Sequence, residues 1–174
     1  MTFKNIKIAG SLLFIGGVQY IFGVGAGVHY GNNTVVSSSV VLLGLLLIAS
    51  AYFILKALKS MPLSILLIIA GIGALGVGFL PWGSTIYYVF AGIGYVSFGI
   101  SAFLSYKFEK SPLSYMSIVL GALAFIALAL WASGIDLGSG TKVTALSVDN
   151  LILPWLIGFG ATIIADSDET PSNN

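Results

Sequence analysis

The sequence predicts an all-α protein: a polytopic transmembrane helix bundle of six spans, with both termini cytoplasmic. Three observations lead there. First, the chain of 174 residues is 57% hydrophobic and only 7% charged, with a mean hydropathy of +1.04. A soluble domain carries about a quarter of its residues charged. Second, every charge lies between long apolar runs or near a chain end: Lys4, Lys7, Lys56, Lys59, Lys107, Glu109, Lys110, Asp136, Lys142, Asp149, Asp166, Asp168 and Glu169. Third, the runs between them approach the roughly 20 residues that cross a bilayer as a helix.

The spans fall at about 8–29, 37–58, 63–80, 86–106, 113–133 and 146–165, forming one domain over 1–165. Breakers separate them at Gly31-Asn32-Asn33, Met61-Pro62, Pro81-Trp82-Gly83, Ser111-Pro112 and Gly138-Ser139-Gly140. Pro62 and Pro112 sit at first helical positions, where a missing N–H is harmless. The tight 81–85 linker makes spans three and four a hairpin. A β-barrel needs short alternating segments, and runs such as LLGLLLIASAYFIL do not alternate. The opening MTFKNIKIAGSLLFIGG has the flavour of a signal peptide, but its apolar run continues to Val28, so it reads as a retained first span.

Lysines set the orientation. Lys4, Lys7, Lys56, Lys59, Lys107 and Lys110 share one side of a six-span chain and Lys142 stands on the other. Short loops rich in lysine stay in the cytoplasm. The acidic tail, 166–174, is then cytoplasmic and expected to be disordered. Trp82, Trp131 and Trp155 fall toward the outer ends, where indoles favour the interface. Asn32-Asn33-Thr34 is a sequon on that side, read either as a glycosylation site at Asn32 or as a polar turn.

The spans carry few polar groups. Gly16, Gln19, Gly23 and Gly27 share a face of span one, suited to close helix approach. Gln19 is read as a clasp to a neighbouring helix, with a substrate or headgroup contact as the alternative. In span four, one stripe is Tyr88, Gly92, Tyr95, Gly99, Ala102 and Tyr106; the other is Ala91, Gly94, Phe98, Ser101 and Ser105. They suit tight packing or a narrow amphipathic cleft. In span six Pro154, Gly158, Ala161 and Ala165 form a small face, and Pro154 is expected to kink the helix.

Absences narrow the chemistry. There is no cysteine, which removes disulfides, thiolate nucleophiles and cysteine metal sites. One histidine, His29, cannot supply bis-histidine haem ligation. No catalytic residue, metal ligand or cofactor site is expected, and the net charge of +1 offers no nucleic-acid footprint. For an enzyme the best set would be His29 with Asp136 and Asp149 on the outer side, without any GxSxG elbow.

The residue pattern resembles the archaeal and bacterial six-span proteins catalogued as domain of unknown function nine-nine-eight. Gly16-Gly17-Val18-Gln19-Tyr20-Ile21-Phe22-Gly23 is similar to that family's GGxQFxxG opening. Tyr30, Gly44, Gly78-Phe79-Leu80-Pro81, Ala91, Phe98-Gly99, Leu120-Gly121 and the closing run Pro154–Gly160 follow in order. The resemblance implies fold and topology, since the family's activity is not established. Polar groups of the family pattern are replaced at Gly27, Ser37-Ser38-Ser39, Trp82, Tyr87 and Val148-Asp149. That fits a divergent member lacking whatever site those groups build.

The leading expectation is a non-enzymatic protein of the plasma membrane, a structural or partner-binding subunit in contact with lipid and with other membrane chains or its own copies. A carrier or channel for a neutral or amphipathic molecule or lipid is the alternative, through Gln19, Tyr88, Tyr95 and Pro154. An outer-face membrane enzyme is third.

Overall fold

The computed structural model describes residues 2–82, 84–109, 113–134 and 145–169, without the side chains of 2–3, 145–150 and 166–169. Six helices run in order: α1 (Thr2–His29), α2 (Asn33–Leu58), α3 (Met61–Phe79), α4 (Thr85–Ser105), α5 (Leu113–Ser133) and α6 (Ala145–Glu169), with a 3₁₀ turn at Tyr106–Phe108 after α4. No strand occurs among the described residues. Five helices are long and apolar enough to cross a membrane; the described apolar stretch of α6, Leu151–Ala165, is shorter.

α2 and α4 start ahead of their apolar runs because polar residues cap them. Asn32 Oδ1 accepts from Thr34 N at 3.1 Å and Val35 N at 3.3 Å, so α2 starts four residues before its apolar run. Such a cap contributes about 1 kcal/mol. Gly31, at φ 63°, makes the preceding turn, and Lys59 closes α2 at φ 53°. Ser84 Oγ accepts from Tyr87 N at 3.2 Å to start α4. The tail expected to be disordered from 166 onward is still helical through Glu169, and 170–174 lie outside the described residues. Pro154 sits inside α6 without ending it.

Successive helices are neighbours, and α6 returns against α1 and also touches α4, closing a ring. The starts of α1, α3 and α5 and the ends of α2, α4 and α6 share one end of it. Lys4, Lys7, Lys56, Lys59 and Lys107 therefore share that end; Lys110 and Lys142 lie outside the described residues.

Backbones approach most closely at glycines. A Cβ on Gly44 would lie 2.7 Å from the Gly71 carbonyl oxygen, and one on Gly71 would lie 2.8 Å from that of Gly44. Gly10 and Gly160 stand the same way between α1 and α6, at 2.6 and 2.8 Å. Between α3 and α4, a Cβ on Gly73 would meet Gly94 Cα at 2.7 Å. Hydroxyls within the helices fold back: Ser39, Ser64, Ser101 and Thr162 donate to the carbonyl four residues earlier. Ser50 instead reaches from α2 to the Ala9 carbonyl of α1 at 3.1 Å. Among the described residues no buried side-chain N or O lacks a partner. Apolar surroundings require that accounting, since an unpaired polar group there costs several kcal/mol.

Candidate functional site

The residues singled out from sequence do not converge. Gln19 Nε2 donates to the Ser39 carbonyl of α2 at 3.1 Å. Beside it, a Cβ on Gly23 would collide with Ser39 Oγ, and Gly27 abuts Val36. Gly16 has only ordinary contacts with Leu43 and Leu46. This is the α1–α2 seam. On α4 burial runs across both stripes: Ala91, Gly94, Phe98, Ser101 and Ser105 are buried, and so are Gly99 and Ala102 of the other stripe, while Tyr88 and Tyr106 are exposed and a Cβ at Gly92 would meet nothing within 4 Å. Tyr88 lies against Tyr87 and Trp131, and Tyr95 meets Trp131 edge-on at 6.0 Å. Pro154 is exposed, as are Ala161 and Ala165 on the same face of α6.

A cavity of about 50 Å³ lies between α1, α2, α3, α4 and α6. Tyr20, Leu43, Gly73, Gly94, Tyr95 and Leu153 are among its lining residues, and Gln19 is not. Water occupies about 30 Å³ in the liquid, so the space is that of a water or two. The lining is largely apolar. His29 is exposed beside Tyr30, whereas Asp136 and the Asp149 side chain lie outside the described residues. No three His, Cys, Asp or Glu side chains gather as a metal site among the described residues. Asn32 is exposed, with its side-chain oxygen engaged at the start of α2.

A polar cluster at the end of α4 joins Ser105 and Trp155 to Glu109 and Ser117, to which the sequence assigned no role. Glu109, just past the 3₁₀ turn, is half-buried. Its carboxyl meets Ser117 Oγ of α5 at 2.8 Å (Oε1) and 2.6 Å (Oε2), and Ser105 Oγ of α4 at 3.3 Å. Ser105 also accepts the indole N–H of Trp155 at 2.9 Å and has the Ala102 carbonyl 2.9 Å away. Burial pushes the Glu109 carboxyl above its ordinary value; the Ser117 and Ser105 hydroxyls pull it down by a smaller amount.

Trp155 is therefore not an interfacial residue of the outer end. It is 2% exposed and its N–H points to the end of α4, at the lysine end of the bundle. Phe98 meets it edge-on at 6.3 Å and Phe159 stacks at 5.8 Å. A buried indole needs an acceptor, and Ser105 is the one supplied. The available clue was Glu109 itself, the only acid before Asp136 and one set among lysines.

No protein-family model, curated protein or solved structure matches the chain.

Proposed function

We propose that this is a non-enzymatic integral membrane protein of six spans, with both termini in the cytoplasm, that serves the plasma membrane as a structural or accessory subunit. Its partner is another membrane chain or a second copy, met through small-residue helix faces; no nucleic acid is involved. The five long apolar helices support membrane embedding, and the lysines gathered at one end support the orientation. The ordered residue matches support a divergent membership of the nine-nine-eight family.

The carrying observation is the outward face of α6. Pro154, Ala161 and Ala165 are exposed there, and a Cβ at Gly158 would meet nothing within 4 Å, while Gly160 two residues on is filled by α1. Such a face lets a further backbone approach closely. Purified in mild detergent, the protein is expected to run as an oligomer or with a co-purifying membrane chain. Gly158→Leu should return it to a monomer with helix content unchanged, because the monomer has room for the side chain. A wild-type protein that is monomeric and alone would defeat the reading.

A second reading is a carrier for a small neutral or amphipathic molecule, which would need the apolar cavity at Tyr20 and Tyr95 to widen from about 50 Å³ toward the several hundred Å³ of a ligand pocket, on the order of 300 Å³ or more. Flux above that of empty liposomes from a monomeric preparation would select it.

A further inference from the structure

α5 is held to the bundle differently from its neighbours. Its buried residues are Ser117, Gly121, Ala124 and Ala127, all small. Only 22% of its apolar stretch is buried, against 33% for α3, the next lowest of the long apolar helices. Between helices in lipid there is little hydrophobic drive, so close packing and polar links decide association. Ser117 provides such a link, and it runs to Glu109.

We propose that Glu109 is a proton-operated catch for α5. As a neutral acid it closes a two-bond ring with the Ser117 hydroxyl and clamps the start of α5 to the end of α4. Once ionised, it turns toward water and releases that end of the helix.

The geometry carries this. One hydroxyl lies within 2.8 Å of both carboxyl oxygens, yet it has a single hydrogen to donate. A proton on the carboxyl supplies the second bond, with Ser117 accepting it. Ser105 faces the same choice, one hydrogen between the Ala102 carbonyl at 2.9 Å and Glu109 at 3.3 Å. A neutral Glu109 leaves that hydrogen on the nearer carbonyl. Departure of the ionised carboxylate removes a polar neighbour from the Ser105 oxygen, and Trp155, donating to that same oxygen, registers the change.

Other titratable groups near the catch are few. Lys107 and Tyr106 on the 3₁₀ turn and Tyr115 on α5 are exposed. The last two turns of α4 contain none, and neither does α6 over 151–165; Asp166, Asp168 and Glu169 end α6 on the same side of the bundle, with side chains outside the described residues. Lys110 follows in the chain, outside the described residues. A carboxyl raised by burial stabilises the docked state fully below its ordinary value; that contribution disappears as pH rises through the raised one. The catch thus opens on the alkaline side.

The experiment uses the full chain in lipid nanodiscs with Trp82→Phe and Trp131→Phe, leaving Trp155 as the only tryptophan. Trp155 emission and hydrogen exchange at the start of α5 are followed from acid to alkaline pH. We expect one emission step above the ordinary carboxylate range. Exchange, corrected for its intrinsic pH dependence, should quicken about tenfold across it. Glu109→Gln should abolish both and hold the acid-side values. A flat profile in the unmodified carboxyl protein, or a step that survives Glu109→Gln, overturns the proposal. Should the glutamine variant fail to fold, Ser117→Ala replaces it. Trp155 then keeps its step while α5 exchange is fast at every pH; α5 still following pH would overturn the catch.

Discussion

Trp155→Ala is expected to destabilise the bundle by about 3–5 kcal/mol, the usual cost of deleting a large buried aromatic side chain. Trp155 is 2% exposed, sits between Phe98 and Phe159, and is among the largest fully buried side chains. Its removal opens a void between α4 and α6 and takes the donor from Ser105. Trp155→Phe separates the two contributions. It keeps an aromatic ring in the stack and deletes the N–H, so most of its cost, about 1 kcal/mol, reflects the lost hydrogen bond. Reversible denaturation in detergent measures both. An alanine variant as stable as wild type would mean that Trp155 is not buried.

The next largest effect is expected at the α2–α3 contact. Gly44→Val places a Cβ 2.7 Å from a backbone carbonyl oxygen, and backbone cannot swing aside as a side-chain tip does. Overpacking of this kind costs typically about 1–3 kcal/mol. Separation of α2 from α3 would also disturb Gly73–Gly94, the next seam. Gly92→Ala is the matched control. Nothing lies within 4 Å of its Cβ position, so the change should be neutral or gain up to about 1 kcal/mol from helix propensity. Equal effects at the two positions, in the same denaturation measurement, would contradict the packing described.

The order of the six helices was legible in the chain because Gly31, Pro62, Pro81 and Pro112 interrupt it and apolar length does the rest. Ends were less legible. Asn32 and Ser84 start helices with polar side chains, which an apolar-run criterion discards. Faces were harder still. In a helix apolar all round, hydrophobic pattern does not separate lipid-facing from bundle-facing positions. Hence α6 packs through Gly160, while Gly158, grouped by spacing with Pro154, faces outward. On α4 spacing gave two stripes, whereas burial cuts across them, taking Gly99 and Ala102 together with Ala91, Gly94 and Phe98.

Glu109 was hidden for another reason. Between Lys107 and Lys110 it reads as a loop charge, and its partners come from two helices, Ser105 of α4 and Ser117 of α5, with Trp155 of α6 bonded to Ser105. No local pattern encodes that meeting. The charges do keep to the ends of the long apolar helices, with Glu109 half-buried at the bundle end. The Glu109 cluster lies at the lysine end, opposite His29.

The absence of cysteine permits the most direct test of the account, a single-cysteine accessibility map of the bundle. Lys4→Cys, Lys107→Cys and Ser167→Cys should react with a membrane-impermeant thiol reagent only after the cytoplasmic face is opened. Tyr30→Cys and Trp82→Cys, exposed at the opposite end, should react in intact cells. Reaction of positions 4 and 167 from opposite faces would contradict the six-span topology.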